Sequence, residues 1–413
     1  MKTNKLCIGF LLACVAPTNL AFSQEQTPVL ASAEASKTVT PTGEDEEKQD
    51  EPSFSLSGSV DTYFHSTFGS SYLDVKAPGT SFANQPGFGL GMVNLIGTYS
   101  GEKAGFTADL VFGPRGREAV FGNLATGQGI INQMFAYYKL GKVTLNLGQF
   151  NTFLGYEVIS PTVNFHYSTS YMFSWGPFSH TGLRADIDLG GGLYAKLAIM
   201  NPTDLVEFNP VNTYTFGGQL GFSNDFGGTW LNVHYGDQDG KLDVDDGLIP
   251  TQASEGATMQ VDLTAGFNLS EKFYLGFNGT YRSVSQGEFY DGSDIADIDE
   301  DTKGFMGVAL YPKVSLSESF ALGLRAEYFQ ITKGYLTGTG GYGEPVSFVF
   351  ARNAAGTGSV TEFTLSANYK VGGLTIIPEI RTDMTSESSY LKKGDGEPGK
   401  QMTSFNIAAV YKF

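Results

Sequence analysis

The chain has 413 residues, 43 acidic against 26 basic, for a net charge of −17, with two cysteines and four histidines. No basic stripe is available to displace counterions from phosphates, which excludes a nucleic-acid-binding protein, and two cysteines at positions 7 and 14 leave no disulfide framework. Glycine, at 53 residues, and an aromatic content of 13%, with 32 Phe and 21 Tyr against 2 Trp, fit many short twisted strands joined by turns.

The amino terminus reads as an export signal over residues 1–23: Lys2 and Lys5, an apolar run at 6–16, and the small residues Ala21 and Ser23 before Gln24. The alternative is a lipoprotein signal with Cys14 acylated, for which the apolar run is short and Leu12 is large for its place. Cleavage after Ser23 would remove both thiols. Residues 24–53 have no apolar period and are rich in Glu, Thr, Ser and Pro, so they are expected to form a disordered, acidic periplasmic tail.

From Ser55 onward the apolar period is two. Leu56, Val60, Thr62 and Phe64 alternate with Ser57, Ser59, Asp61 and Tyr63. The pattern returns in Phe106, Ala108, Leu110 and Phe112, and in the run Met259 to Leu269 against Gln260, Asp262, Thr264 and Asn268. It is repeated in "KFYLGFNGTYRS", "FALGLRAEYFQ", "TEFTLSANYK" and "LTIIPEIRTD". No stretch beyond the signal approaches the length of a transmembrane helix. The count of such strands is about sixteen, each near the ten residues that span a bilayer when tilted.

The connections alternate in length. Short ones fall at 100–103, 141–142, 190–192, 224–228, 270–271, 315–319 and 371–373; long ones fall at 66–87, 114–130, 151–180, 202–212, 237–257, 284–302, 333–358 and 384–403. A sandwich places turns of similar length at both ends, whereas an outer-membrane barrel has tight periplasmic turns and long external loops. The expected fold is all-β, a transmembrane antiparallel up-and-down barrel of 14–16 strands over residues 54–413. The last segment, "SFNIAAVYKF", is then the closing strand, hydrogen-bonded to the first so that no unpaired edge meets lipid.

Residues 131–202 carry a family resemblance. The Ala136-Tyr137-Tyr138 strand, "GQF" followed by "LGYE", Pro161, the Tyr-Ser pairs at 167–171 and Gly182-Leu183-Arg184 resemble the putative beta-barrel porin-2 family of Bacteroidetes-type outer membranes. The resemblance implies a porin-like barrel. It also implies that the terminal aromatic, Phe413, serves as the recognition signal of the barrel-insertion machinery.

The charged residues on the polar face are the candidate working parts: Asp61, Asp109, Arg184, Asp186, Lys196, Asp262, Arg282, Arg325, Glu327, Glu379 and Arg381. An Arg or Lys facing lipid at the midplane costs about 2–4 kcal/mol, so these are expected to line a lumen whose field sorts solutes by charge and size. The alternative is that several pair across strands inside a plugged barrel. The connection 151–180 is too aromatic to be freely solvated; it either folds inward and narrows the pore or caps the barrel outside.

Three segments, 44–51, 237–246 and 288–301, hold 18 of the 43 acids and only two lysines. Neither "DVDDGLIP" nor "DIDEDTKG" has the Gly and Glu spacing of a calcium loop, and they read as solvated loops. His65, His166, His180 and His234 show no metal-ligand spacing, and Ser168 and Ser170 beside His166 are commonplace on a loop, so no catalytic residues, cofactor or metal are expected. A 30-residue tail is too short for a plug domain and sixteen strands fall short of about 22, which excludes an energised transporter. The expected function is a channel in the bacterial outer membrane passing small hydrophilic solutes or ions, surrounded by outer-membrane lipid. The alternatives are a non-conducting structural or adhesive barrel and an outer-membrane hydrolase.

Overall fold

The structure is a computed structural model and describes residues 52–71, 79–120, 129–240, 253–290, 295–297, 303–332, 350–394 and 396–413. The expected signal and nearly all of the expected tail lie outside these residues, as do most of the three acidic segments.

Among the described residues sixteen antiparallel strands close into one barrel. They are β1 (Ser53–Phe68), β2 (Gly87–Ser100), β3 (Ala104–Phe112), β4 (Ile131–Leu140), β5 (Val143–Asn151), β6 (Ser179–Gly190), β7 (Leu193–Met200) and β8 (Thr215–Asn224). The second half comprises β9 (Gly227–Gly236), β10 (Thr258–Asn268), β11 (Phe273–Val284), β12 (Lys303–Ser315), β13 (Phe320–Thr332), β14 (Gly358–Val371), β15 (Leu374–Thr385) and β16 (Gln401–Lys412). Each strand pairs with its neighbours in sequence, and β1 pairs with β16 from Ser59↔Lys412 to Phe68↔Thr403. Beyond that ladder Gly58 and Phe413 exchange both backbone hydrogen bonds at 3.0 Å, so the expected closure by the last strand is present.

The alternation of side chains sets the two surfaces. On β13, Leu322 and Tyr328 are exposed while Arg325, Glu327 and Phe329 are buried; on β14, Phe363 and Leu365 are exposed while Glu362, Thr364 and Ser366 are buried. Exposed apolar residues and buried polar ones invert a water-soluble protein, and hydrocarbon outside the cylinder accounts for the inversion. The tight turns lie at 101–103, 141–142, 191–192, 225–226, 269–272, 316–319 and 372–373, as expected.

The interior is filled from the long-loop end by three segments: residues 79–86, the short helix α1 (Pro114–Ala119) and residues 152–178, which contain α2 (Tyr171–Trp175). Their apolar side chains form clusters with inward residues of the wall. Tyr156, Tyr171, Met172 and Trp175 pack with Tyr274, Phe305, Tyr311 and Phe329, and Phe82 and Phe173 pack with Met92 and Val111.

Candidate functional site: a wall-anchored segment across the lumen

Segment 152–178 bonds strands all round the wall, among them β8, where Gln219 donates to the Phe153 carbonyl at 3.3 Å. Gly155 donates its N–H to Asp262 of β10 at 2.8 Å, and Tyr156 shares a hydroxyl bond with Tyr274 of β11 at 2.9 Å. The Tyr156 ring stacks on Tyr311 of β12 with centroids 4.1 Å apart. Tyr171 and Met172 donate their backbone N–H groups to the two carboxylate oxygens of Glu327 on β13, both at 2.8 Å. His166 bonds Ser366 of β14 at 2.8 Å, the Tyr167 N–H reaches Glu379 of β15 at 3.0 Å, and the Tyr167 hydroxyl reaches Asp61 of β1 at 2.6 Å. A segment that contacts walls so far round a closed cylinder lies inside it.

The sequence explains why it can lie there. Backbone N–H groups taken out of water need acceptors, and the wall supplies carboxylates at the right heights. Ser170 caps α2 by accepting the Phe173 N–H at 3.0 Å. Glycines on inward positions of the wall give the segment room: a Cβ on Gly276 would meet the Tyr156 hydroxyl, one on Gly307 would meet Met172, and one on Gly323 would meet Phe165. Part of the high glycine content is therefore a seat for this segment. Residues 79–86 and α1 lock it from the other side: Thr169 donates to the Ser81 carbonyl at 2.6 Å, and Arg115 donates to the carbonyls of Ile159 at 3.1 Å and Tyr167 at 3.3 Å.

At the centre is a buried ion-pair network. The Arg325 guanidinium, 0% exposed, lies 2.6 Å from Glu157 of the segment and 3.0 Å from Glu362 of β14. It also donates to the Ser168 carbonyl at 2.8 Å. Arg381 lies 2.8 Å from Asp383 and 3.7 Å from Glu362, and donates to the Thr169 carbonyl at 2.7 Å. Burial of this kind stabilises only when every lone pair and proton is used, which the carbonyls of the segment accomplish.

All eleven charged residues singled out in the sequence lie on inward positions of the strands, and none faces the lipid. Asp61, Asp262, Arg325, Glu327, Glu379 and Arg381 each hold the segment by a direct bond. Asp109 accepts from Asn94, from Asn132 at 2.7 Å and from Gln133 at 3.1 Å. Arg184, Asp186 and Lys196 form a separate cluster on β6 and β7, with Asp186 2.9 Å from Arg184 and 3.1 Å from Lys196. The Arg282 guanidinium lies 6.0 Å from the Phe305 ring centre. Apart from Asp186 they are all buried.

Four further charged residues belong with them and were not singled out: Arg115, Glu157, Glu362 and Asp383. Period-two parity points to the two wall residues, since Glu362 shares a face with Thr364 and Ser366, and Asp383 with Glu379 and Arg381. Glu157 lies in a loop without period and carries no such signal.

The histidines are structural in their surroundings. His166 is held neutral, its value lowered to about 3 by burial and by the neighbouring Arg325. His65 lies 2.5 Å from the Asn406 side-chain oxygen, and His180 lies 3.0 Å from the Thr152 hydroxyl. Among the described residues no group of three His, Cys, Asp or Glu side chains is spaced to hold a metal ion.

Several solved barrels share this architecture. The channel DcaP of Acinetobacter baumannii aligns with a TM-score of 0.56 at 12% identity, over 90% of this chain and 100% of its own. An anion-selective porin from Comamonas acidovorans aligns with a TM-score of 0.53 at 12% identity, over 88% of this chain and 100% of its own. The outer membrane protein OmpT of Vibrio cholerae, in its trimer form, aligns with a TM-score of 0.52 at 10% identity, over 88% of this chain and 100% of its own. At such identities the likeness is one of fold. Among curated proteins none matches the chain. Residues 53–413 match the family described as putative beta-barrel porin-2, OmpL-like. The chain belongs to that family, and it is an outer-membrane channel for passive diffusion.

Proposed function

We propose that the channel is a constricted one, in which segment 152–178 sets the cross-section and small hydrophilic solutes or ions pass beside it. The observation that carries this reading is the anchoring of the segment's backbone to carboxylates of the wall, above all the paired bonds from Tyr171 and Met172 to Glu327. A segment fixed at so many points narrows the lumen by a constant amount rather than flapping within it. The eleven inward charged residues then divide into two groups. Asp61, Asp262, Arg325, Glu327, Glu379 and Arg381 hold the constriction in place, and Arg184, Asp186 and Lys196, on β6 and β7, stand apart from it with Asp109 and Arg282.

The reading is non-enzymatic. His166, the histidine beside Ser168 and Ser170, spends one ring nitrogen on Ser366, and Ser170 caps α2, so neither is arranged as a base beside a nucleophile. Residues 1–23 are proposed as the export signal, residues 24–52 as the periplasmic tail, and Phe413 as the contact for the barrel-insertion machinery. Deleting residues 160–176 and recording single-channel currents in planar bilayers tests the constriction. A larger unit conductance is expected, and an unchanged one rejects it.

A further inference from the structure

The two halves of the lumen carry different charge. Around the segment the wall carboxylates are spent: Glu327 and Glu379 accept backbone N–H groups, and Glu157, Glu362 and Asp383 pair with Arg325 and Arg381. Toward the tight turns the inward side chains are mainly basic. Lys139 shares the inward face of β4 with Phe135 and Tyr137, half-buried, its ammonium 5.9 Å from the Tyr137 ring centre. Lys412 continues the inward face of β16 beyond Ala408 and Val410, opposite the buried Ser59, and is exposed. On β6 and β7, Arg184 and Lys196 hold a single carboxylate, Asp186, at 2.9 and 3.1 Å, which leaves one positive charge in excess. Asp188, on the same face of β6, accepts the Gly190 N–H at 2.8 Å. Four cations thus stand against two carboxylates. Lys313 of β12 and Lys370 of β14 lie on the same inner surface, and the sign is positive without them.

The turns beyond do not cancel this excess. Glu102 is next to Lys103 in sequence and Glu271 next to Lys272, while Lys142, Asp225 and Glu318 are exposed to bulk solvent. Charge on the inside of a low-dielectric wall is focused into the water it encloses, whereas charge in bulk solvent is screened. We infer that the tight-turn half of the lumen is a cationic antechamber that makes the channel favour small anions over cations. Lys139 and Lys412 are its specificity-determining residues, because among the described residues no carboxylate pairs with either. The inference rests on the channel reading and adds the sign of what passes.

The reversal potential of the refolded channel in planar bilayers, across a gradient of potassium chloride, is the test. Chloride is expected to permeate more readily than potassium by about threefold at about 0.1 M salt, the effect of two net charges about 10 Å away. The preference falls toward unity at about 1 M, where the Debye length is about 3 Å. Lys139→Glu/Lys412→Glu inverts the excess and brings the ratio to unity or below. Lys139→Gln and Lys412→Gln each lower it, and decide the matter where a Glu variant fails to show the heat-modifiable migration of a folded barrel. Lys400→Glu, exposed near the long-loop start of β16, leaves the ratio unchanged. Unit steps with equal or greater permeability to potassium, a native ratio in the folded lysine variants, or an equal shift from Lys400→Glu overturns the antechamber and leaves the channel reading standing. Absence of unit steps overturns both.

Discussion

Arg325→Met removes the guanidinium at the centre of the buried network and leaves its volume largely filled. Two carboxylates lose their partner, Glu157 at 2.6 Å and Glu362 at 3.0 Å, along with the bond to the Ser168 carbonyl at 2.8 Å. Removing one partner of a buried pair costs about 3–5 kcal/mol, because the other charge stays out of water. The two carboxylates share that cost unequally. Glu362 keeps Arg381 at 3.7 Å and the Thr364 hydroxyl, whereas Glu157 keeps, among the described residues, the Ser170 N–H at 2.7 Å. Glu157 is also on the movable element, so the cheapest relief is for the segment to carry it out to water. A bias of about 4 kcal/mol changes the ratio of seated to released segment by about a thousandfold.

Single-channel recording of the refolded variant reads this directly, with heat-modifiable gel migration confirming an intact barrel. A larger unit conductance with added flicker is expected. The double variant Glu157→Gln/Arg325→Met restores much of the seated state because the orphaned charge on the segment is gone. A folded Arg325→Met barrel with native conductance and noise would refute the claim that this ion-pair network seats the segment.

Three other outcomes follow from the same geometry. Gly307→Val expels Met172 from its seat, so the variant should melt at lower temperature and conduct more, as measured by thermal gel shift and bilayer current. Leu365→Arg, at a lipid-facing position that is 50% exposed, should reduce folding yield into bilayers by the cost of about 2–4 kcal/mol for Arg near the midplane, as read by urea titration in vesicles. Asp204, in the loop after β7, has its carboxyl pushed up to about 7 by burial. Its native form therefore holds a proton that the unfolded chain releases near about pH 4. Its contribution is complete below that value and is lost as pH rises to 7. Asp204→Asn should flatten the stability–pH curve over that window in denaturant titrations, and an unchanged slope would count against the burial of this carboxyl.

The membrane-facing surface was legible because a strand in a bilayer has only two environments, and the alternation Phe405, Ile407, Ala409 and Tyr411 against Asn406 declares both. Loop lengths marked where one strand ends and the next begins, since tight turns such as 141–142 leave no freedom in pairing. The inward position of Arg325, Glu327 and Glu379 followed from parity alone.

What parity does not convey is what an inward residue meets. Asp262 and Gly155 are 107 positions apart, and Tyr167 and Glu379 are 212 apart, so no local pattern links donor to acceptor. The glycines at 276, 307 and 323 read as ordinary strand glycines until Tyr156, Met172 and Phe165 are seen against them. The sequence by itself determined the cylinder, its two surfaces and its closure, because those depend on a period-two solvent contrast that every strand repeats. Only the tertiary structure decided that the lumen is occupied by an anchored segment, because a loop without period finds its partners through the shape of the closed wall.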